Sequence, residues 1–457
     1  MPEIVVKFGG SSLKTKKDIQ KVIDVIISYK QPVIVVVSAF YGITDFLSKA
    51  ICKGFKSGDD VDKIINELEK RNNQIIQENL EDSLITQELR SETSFLLDEL
   101  KKLLLCIHYI GELPDFLEDQ ILAFGEKLSS VIMHYLLKSK GILSELKFPE
   151  NLPLLTDGEF GNASVNFEAC SSKVKLGLSE NHIYVIPGFY GVTDSGKITV
   201  LGRGGSDYSA ASIAHCIGAK YIDVWKDVEG FMSGDPKLID NPVRLERITY
   251  AEAAELAYFG AKILHPRTVE PLLEAHIPIR IFNINNPIDK LHPLSIINSE
   301  EVVKEGVVKS VTYSDEFCII KLRGPAVGIK PGILAKVTGI LHREKINISS
   351  VLTSQIAINI ILQKKDMNRA LKLIKSLDLK AVSEVLVLED ISLIAVVGQG
   401  MLDNYGVAAR IFTSVARQNI NIKLSCSGAS QVVSYLVVEK DHRDLALREI
   451  HHEFFSK

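Results

Sequence analysis

The sequence predicts an α/β half, built on a mostly parallel central sheet between helix layers, followed by an α+β ferredoxin-like tandem repeat. Over roughly the first two thirds of the 457 residues, β-branched runs alternate with helical patterns, which is the grammar of parallel β-α-β units. Beyond about residue 298 the units shorten and recur once. A hydrophobic content of 46% supports two or three cored domains, and a net charge of −4 argues against a general nucleic-acid binder.

The elements follow in chain order. Ile4-Val5-Val6-Lys7-Phe8 reads as a buried strand, and Gly9-Gly10-Ser11-Ser12 as a turn opening a helical segment from Lys14 to Tyr29. Pro32 to Val37 is a second strand, ending at Ser38. From about residue 59 to 105 the pattern is charged and helical, with apolar stripes at Ile64, Ile65, Leu68, Leu96, Leu97 and Leu100, and reads as a helical insertion covering one side of a site. Strand signals return at Ile183 to Phe189, Tyr221 to Trp225 and Pro278 to Phe282.

In the repeat, Phe317 to Leu322, Pro331 to Val337 and Ile346 to Ile348 are echoed by Leu393 to Val397, Gly406 to Phe412 and Ile420 to Ile422. Strands at Ala357 to Leu362 and Val432 to Val438, each followed by a helix, complete two β-α-β-β-α copies. The second copy lacks a last strand, so either Val308 to Tyr313 or Ser383 to Leu388 is expected to be lent across. The expected domains are 1–298, 299–388 and 389–457.

The six cysteines are scattered and form no C-x-x-C pair, as in a reduced cytosolic protein. No apolar run approaches the roughly 18 residues of a membrane span, and no charged leader precedes the first strand. A cytoplasmic protein with no membrane partner is expected.

Two glycine-rich turns carry the chemistry. Lys7 sits on a strand before Gly9 and Gly10, whereas a P-loop lysine follows its glycines as G-x-x-x-x-G-K-[ST], a string absent from the chain. Phosphates can still rest on Gly9, Gly10 and the N–H groups beyond them. The second turn, Gly202-Arg203-Gly204-Gly205-Ser206-Asp207, is either a plain connector or an anion seat, in which Arg203 offers a planar fork and Asp207 holds a lysine or magnesium. Gly398-Gln399-Gly400 is not a dinucleotide fingerprint, because Asp403 stands where the third glycine is needed.

Together these strings resemble the aspartate kinases of the amino-acid-kinase superfamily. The match runs through Lys7 to Ser12, Val37-Ser38-Ala39, Gly42-Ile43-Thr44, Phe124 to Ser130, Gly202 to Asp207, Asp227 to Gly230, Asp235-Pro236 and Gly260 to Pro266. The resemblance implies the amino-acid-kinase fold with two C-terminal ACT domains. It implies transfer of the γ-phosphoryl of ATP, with Mg2+, to the side-chain carboxylate of L-aspartate. That makes 4-phospho-L-aspartate, the first step toward lysine, threonine and methionine.

By the same resemblance Lys7 neutralises the phosphoryl oxygens and Asp207 orients lysines. Arg203 with Gly204, Gly205 and Ser206 receives the α-carboxylate of aspartate, and Glu126 its α-ammonium. Ser38 and Thr44 supply hydroxyls, or cap the following helix. Lys7, Gly9, Gly10, Ser11, Lys226, Asp227, Met232, Lys237, Lys262 and Ile263 face the nucleotide. No protein-borne metal ligand set is implied. His265 is expected to be structural, orienting Lys262 or capping a helix. The chain departs from the commoner pattern at Lys226 (threonine), Met232 (tyrosine), Lys237 (arginine) and Asp45 (asparagine).

An amino-acid effector is implied at the ACT domains, near Gly332, Ile333, Leu334, Ser349, Ser354 and Gln355. The stretch Ile348 to Gln355 lacks the acidic residue of lysine-inhibited relatives, so threonine or no effector is expected over lysine. Paired ACT domains also imply a homodimer. The alternatives are a kinase of glutamate, N-acetylglutamate or uridylate type, and a non-catalytic ACT sensor. A fused homoserine dehydrogenase is not expected, since nothing follows the second repeat.

Overall fold

The computed structural model describes residues 2–55, 57–81, 83–261, 263–286, 292–300 and 307–456. The chain divides into two compact units. The first comprises Met1–Met232, Arg244–Ala257 and Lys262–Val302, and the second Ser233–Val243, Tyr258–Ala261 and Val303–Lys457.

The first unit is built on an eight-stranded sheet. Its spatial order is Ser144–Leu146, Ile183–Pro187, Ile34–Val37, Ile4–Phe8, Tyr221–Lys226, Ile279–Asn283, Ser295–Asn298 and Arg247–Thr249. All neighbours pair in parallel except Ile279–Asn283 with Ser295–Asn298. Every side chain of Ile4–Phe8 and Ile34–Val37 is buried, as continuous β-branched runs require between two helix layers. The Ile4–Phe8 strand is where the order reverses: the chain next adds Ile34–Val37 on one side and later Tyr221–Lys226 on the other. Ligands in open α/β sheets gather at the carboxyl ends of strands around such a point.

The helix Lys16–Ser28 starts at a capping box, with Asp18 N–H donating to Thr15 Oγ1 at 3.2 Å, and buries Ile19, Val22, Ile23, Val25 and Ile26. The expected insertion is a helix pair, Gly58–Asn79 and Leu84–Ile110. Leu68 and Ile76 of the first helix, and Leu89, Leu100 and Leu104 of the second, are fully buried.

The second unit holds two four-stranded antiparallel sheets. One runs Ile348–Ser354, Ala357–Gln363, Phe317–Arg323, Glu384–Leu388, and the other Ser310–Ser314, Ile391–Val397, Val433–Glu439, Leu424–Ser430. The strand lent across is therefore Ser310–Ser314, which pairs with Ile391–Val397, while Glu384–Leu388 stays with its own copy against Phe317–Arg323.

Three expectations are corrected. The first-copy boundary 299–388 gives up Ser310–Ser314 to the second sheet. Ser233–Val243 and Tyr258–Ala261 group with the C-terminal unit and not with 1–298. They do so through bonds invisible to local pattern, such as Ser233 Oγ to His451 Nε2 at 2.8 Å and Val311 N–H to the Ser233 carbonyl at 2.9 Å. The strand expected at Ile420–Ile422 begins only at Leu424, because Ile420 is used as core beneath the helix Val407–Ala416.

Candidate active site

Lys7 lies on the central strand between Val36 and Val224 of its neighbours and is 4% exposed. Its ammonium pairs with Asp207 Oδ1, on the first turn of the helix Gly205–Ile217. The other oxygen, Oδ2, receives Lys226 Nζ at 3.0 Å from the end of the adjacent strand. Burial alone raises the Asp207 pKa, but Lys226 and Lys7 outweigh it and hold the carboxyl well below the usual range. Burial lowers the Lys7 pKa, Asp207 pulls it back up, and Lys226 pushes it down again. One carboxylate thus serves two cations, which leaves a surplus positive charge.

That surplus sits beside bare backbone. A Cβ on Gly9 would lie 3.3 Å from Lys7 Nζ, and one on Gly10 would lie 3.0 Å from the Ala39 carbonyl oxygen. Ser11 Oγ donates to Asp227 Oδ1 at 3.1 Å, which joins the turn after Ile4–Phe8 to the end of Tyr221–Lys226. Lys7, Gly9, Gly10, Ser11, Lys226 and Asp227 are brought together at one end of the sheet.

Glu126 projects from the helix Phe124–Ser139 and is 3% exposed. Ser206 Oγ donates to its Oε1 at 3.5 Å, and Oε2 has no hydrogen-bond partner among the described residues. Burial pushes its pKa up to about 8, offset only in part by the backbone of Ala39 and of Glu126 itself, Ser206 and the charge of Lys7. This carboxyl is short of a cation. Thr44 Oγ1 would lie 3.7 Å from a Cβ on Gly125, in the helical turn that presents Glu126, and Ser129 Oγ donates to the Ser38 carbonyl at 2.8 Å. Neither Ser38 nor Thr44 caps the helix Ile43–Lys53, whose N-cap is Gly42.

Arg203 is exposed and forms no hydrogen bond or ion pair with any described residue. It stands between Gly202 (φ +73°) and Gly204 (φ +72°), both in the left-handed region that favours glycine. At Gly204 a Cβ would fall 2.3 Å from His265 Cβ, so the imidazole packs directly beneath the turn. His265 occupies the N-cap position of Pro266–Glu274, yet its side chain caps nothing and Nδ1 has no partner among the described residues. Its expected structural role is one of packing, not capping.

Lys262 lies outside the described residues; its neighbour Ile263 is half-buried in the turn before His265. Met232 forms an isolated bridge with Arg244 at the edge of the first unit, while Lys237 belongs to the second. In that unit Gly332 (φ +88°) caps the helix Ile333–Arg343, with Ile333 buried and Leu334 exposed. Ser349 and Ser354 lie on the edge strand Ile348–Ser354, and Gln355 is exposed in the turn after it.

Sequence reasoning missed two residues. Arg267, on the first turn of Pro266–Glu274, donates to Leu201 O (2.8 Å), Asn162 Oδ1 (2.8 Å), Ala163 O (2.7 Å) and Ser164 Oγ (3.2 Å). Asp119, on the helix Asp115–Leu122, is 1% exposed and accepts from the N–H of Gly161 (2.9 Å) and of Val200 (2.8 Å). The one available signal was position: Arg267 follows His265-Pro266, and Asp119 lies with Glu118 between the apolar Leu117 and Ile121.

A parallel sheet reversing at its central strand, with two lysines on one carboxylate beside a glycine turn, offers a cationic seat to an anion at the strand ends. The model of the amino acid kinase family matches residues 2–283, and the chain belongs to that family; an ACT domain model matches residues 394–454. Within the family the likeness falls on aspartokinases. The lysine-sensitive aspartokinase 3 of Escherichia coli is 28% identical over the whole of both chains. A bifunctional aspartokinase/homoserine dehydrogenase of Buchnera aphidicola is 29% identical over 99% of this chain and 57% of its own length. The chain thus spans about half the length of such bifunctional relatives. Among solved structures, E. coli aspartokinase III with aspartate and ADP superposes with a TM-score of 0.83 at 26% identity, covering 99% of this chain and 100% of that one. The same enzyme with lysine and aspartate gives 0.80 at 25% identity, covering 99% of each.

Proposed function

We propose that this chain is an aspartate kinase, transferring the γ-phosphoryl of ATP to the side-chain carboxylate of L-aspartate. The observation that carries the reading is the sharing of Asp207 by Lys7 and Lys226 beside Gly9 and Gly10. A carboxylate oxygen of the substrate attacks the γ-phosphorus, the bond to the β–γ bridging oxygen breaks, and ADP leaves. No proton moves, because the attacking carboxylate is already ionised at neutral pH. The barrier is repulsion between two anions, so positioning and charge neutralisation supply the catalysis.

Lys7 and Lys226 meet the transferring phosphoryl oxygens, and Asp207 holds both ammonium groups in place without exchanging a proton. The backbone N–H groups of the Gly9-Gly10-Ser11 turn receive the phosphates. Arg203, with an unengaged fork, takes the α-carboxylate. Glu126, short of a cation, takes the α-ammonium, and Ser38 and Thr44 border the substrate. Among the described residues no three His, Cys, Asp or Glu side chains cluster as a metal site. Magnesium would be carried in on the phosphate oxygens of ATP, and the exposed Asp227 is the carboxylate that would meet it. Its chemistry is to neutralise charge on those oxygens.

The ACT region is proposed to bind an amino-acid effector and to join two chains as a homodimer. Against the expectation from Ser349 to Gln355, the E. coli likeness favours lysine; that stretch offers hydroxyls and an amide but no carboxylate, so we infer weak lysine binding. Calorimetric titration with lysine and threonine tests this, and tight lysine binding overturns it.

Hydroxylamine trapping of acyl phosphate with Mg-ATP and aspartate tests the activity. Aspartyl hydroxamate in excess over glutamyl is the expected product. Its absence with aspartate removes the reading, and a non-catalytic ACT sensor then takes its place.

A further inference from the structure

The turn that presents Arg203 contains two left-handed glycines, and Arg203 itself bonds to no described residue. Glycine turns are conformationally permissive, so something outside the turn must fix where the guanidinium points. Two side chains hold the backbone that leads into the turn, at consecutive residues. Asp119 accepts the N–H of Val200, at the end of the strand Ile198–Val200, and Arg267 donates to the carbonyl of Leu201, the next residue. The same two residues grip the neighbouring loop: Asp119 through both oxygens to the Gly161 N–H, and Arg267 through Asn162, Ala163 and Ser164. The loop and the strand are joined directly as well, Ala163 N–H to Val200 O at 3.0 Å.

We propose that Arg267, backed by Asp119, is the positioning residue that sets Arg203 for the substrate's α-carboxylate, which makes it a determinant of amino-acid affinity in the kinase reaction. The inference rests on the aspartate kinase reading and adds a residue to it. The chemistry of Arg267 suits that role better than charge pairing. Its four acceptors are neutral, and its guanidinium lies 4.5 Å from the centroid of the Tyr208 ring, itself on the helix that carries Asp207. The planar fork reaches four oxygens at fixed angles, which a lysine ammonium cannot reproduce. Asp119 works through backbone donors alone, so its role too is geometric. Neither residue touches the reacting atoms.

The test is steady-state kinetics with Arg267→Lys, Arg203→Ala and the double variant, varying aspartate and ATP separately. Arg267→Lys is expected to raise KM for aspartate by roughly tenfold or more and to leave KM for ATP unchanged, since small misplacements of a positioning group are costly. In the Arg203→Ala background the same change is expected to add little, because both act through one guanidinium. Asn162→Ala, which removes one acceptor at an exposed position, is expected to shift KM in the same direction by less, and stands in if Arg267→Lys does not fold. An unchanged KM for aspartate in the folded variants, or fully additive effects in the double variant, overturns the proposal. Failure of the underlying reading is separate, since the unsubstituted chain then gives no turnover with aspartate.

Discussion

Two buried carboxylates lie close together in the sequence of the first unit, and the protein treats them differently. Asp223, fully buried, receives Arg280 through two bonds of 2.6 Å and the Tyr29 hydroxyl at 2.5 Å. Trp225 Nε1 donates to that same hydroxyl at 3.1 Å, and Arg280 lies over the Tyr221 ring at 3.6 Å. Burial raises the Asp223 pKa, and Arg280 and Tyr29 only partly restore it. One anion meets one cation, and every remaining contact is a phenol, an indole or a ring face. Asp207 instead faces two lysines and ends up with its pKa lowered. The first cluster is electrically closed. The second carries a cation in excess, and the difference in charge balance is what the proposed catalytic role of Asp207 rests on.

The comparison breaks most sharply at Arg280. Arg280→Ala strands Asp223 without its cation and is expected to cost about 3–5 kcal/mol of stability, read as a lower denaturation midpoint, with turnover per folded molecule retained. Lys7→Ala is expected to do the reverse: a fall in kcat on the order of 10²–10³-fold or more, the scale for removing one preorganised donor to a developing oxyanion, with little change in the midpoint.

A smaller effect comes through pH. The Glu126 carboxyl, pushed up to about 8 by burial, must lose its proton before it can pair with an ammonium. KM for aspartate is therefore expected to fall by up to about tenfold per unit as pH rises from about 6 to 8, and Glu126→Gln to flatten that profile. The smallest effect is at Lys226. Lys226→Met removes the second cation, and with it the surplus, and is expected to lower kcat and raise KM for ATP, each by up to roughly tenfold, the scale of one charge-assisted contact. An unchanged KM there would reduce Lys226 to a second structural partner of Asp207.

Much of this is legible in the chain itself. The β-branched strands, the lysine set before rather than after its glycines, and the turn at Gly202 to Asp207 point to the fold and to the core of the candidate site, because each is encoded by residues adjacent in the chain. What is not legible depends on pairing at a distance. Lys226 reads as a departure from a common threonine, and only the sheet shows it as the second cation on Asp207. The Asp119 carboxylate, the closed pair of Asp223 with Arg280, and the Arg267 fork likewise join residues tens of positions apart. The lending of Ser310–Ser314 is one of two choices that local pattern leaves open, and the ladder with Ile391–Val397 decides between them. The strand after Val407–Ala416 starts later than its apolar residues suggest, because Ile420 and Ile422 are apolar for packing reasons, not for pairing.

On the proposed reading the charge surplus around Asp207, and not the closed pair at Asp223, performs the transfer. Its most direct test is hydroxamate formation from aspartate and Mg-ATP by Lys7→Ala and Arg280→Ala, measured side by side at a temperature where both remain folded. Lys7→Ala is expected to lose nearly all hydroxamate while Arg280→Ala retains it. Retention by Lys7→Ala, or equal loss in both, would contradict that reading.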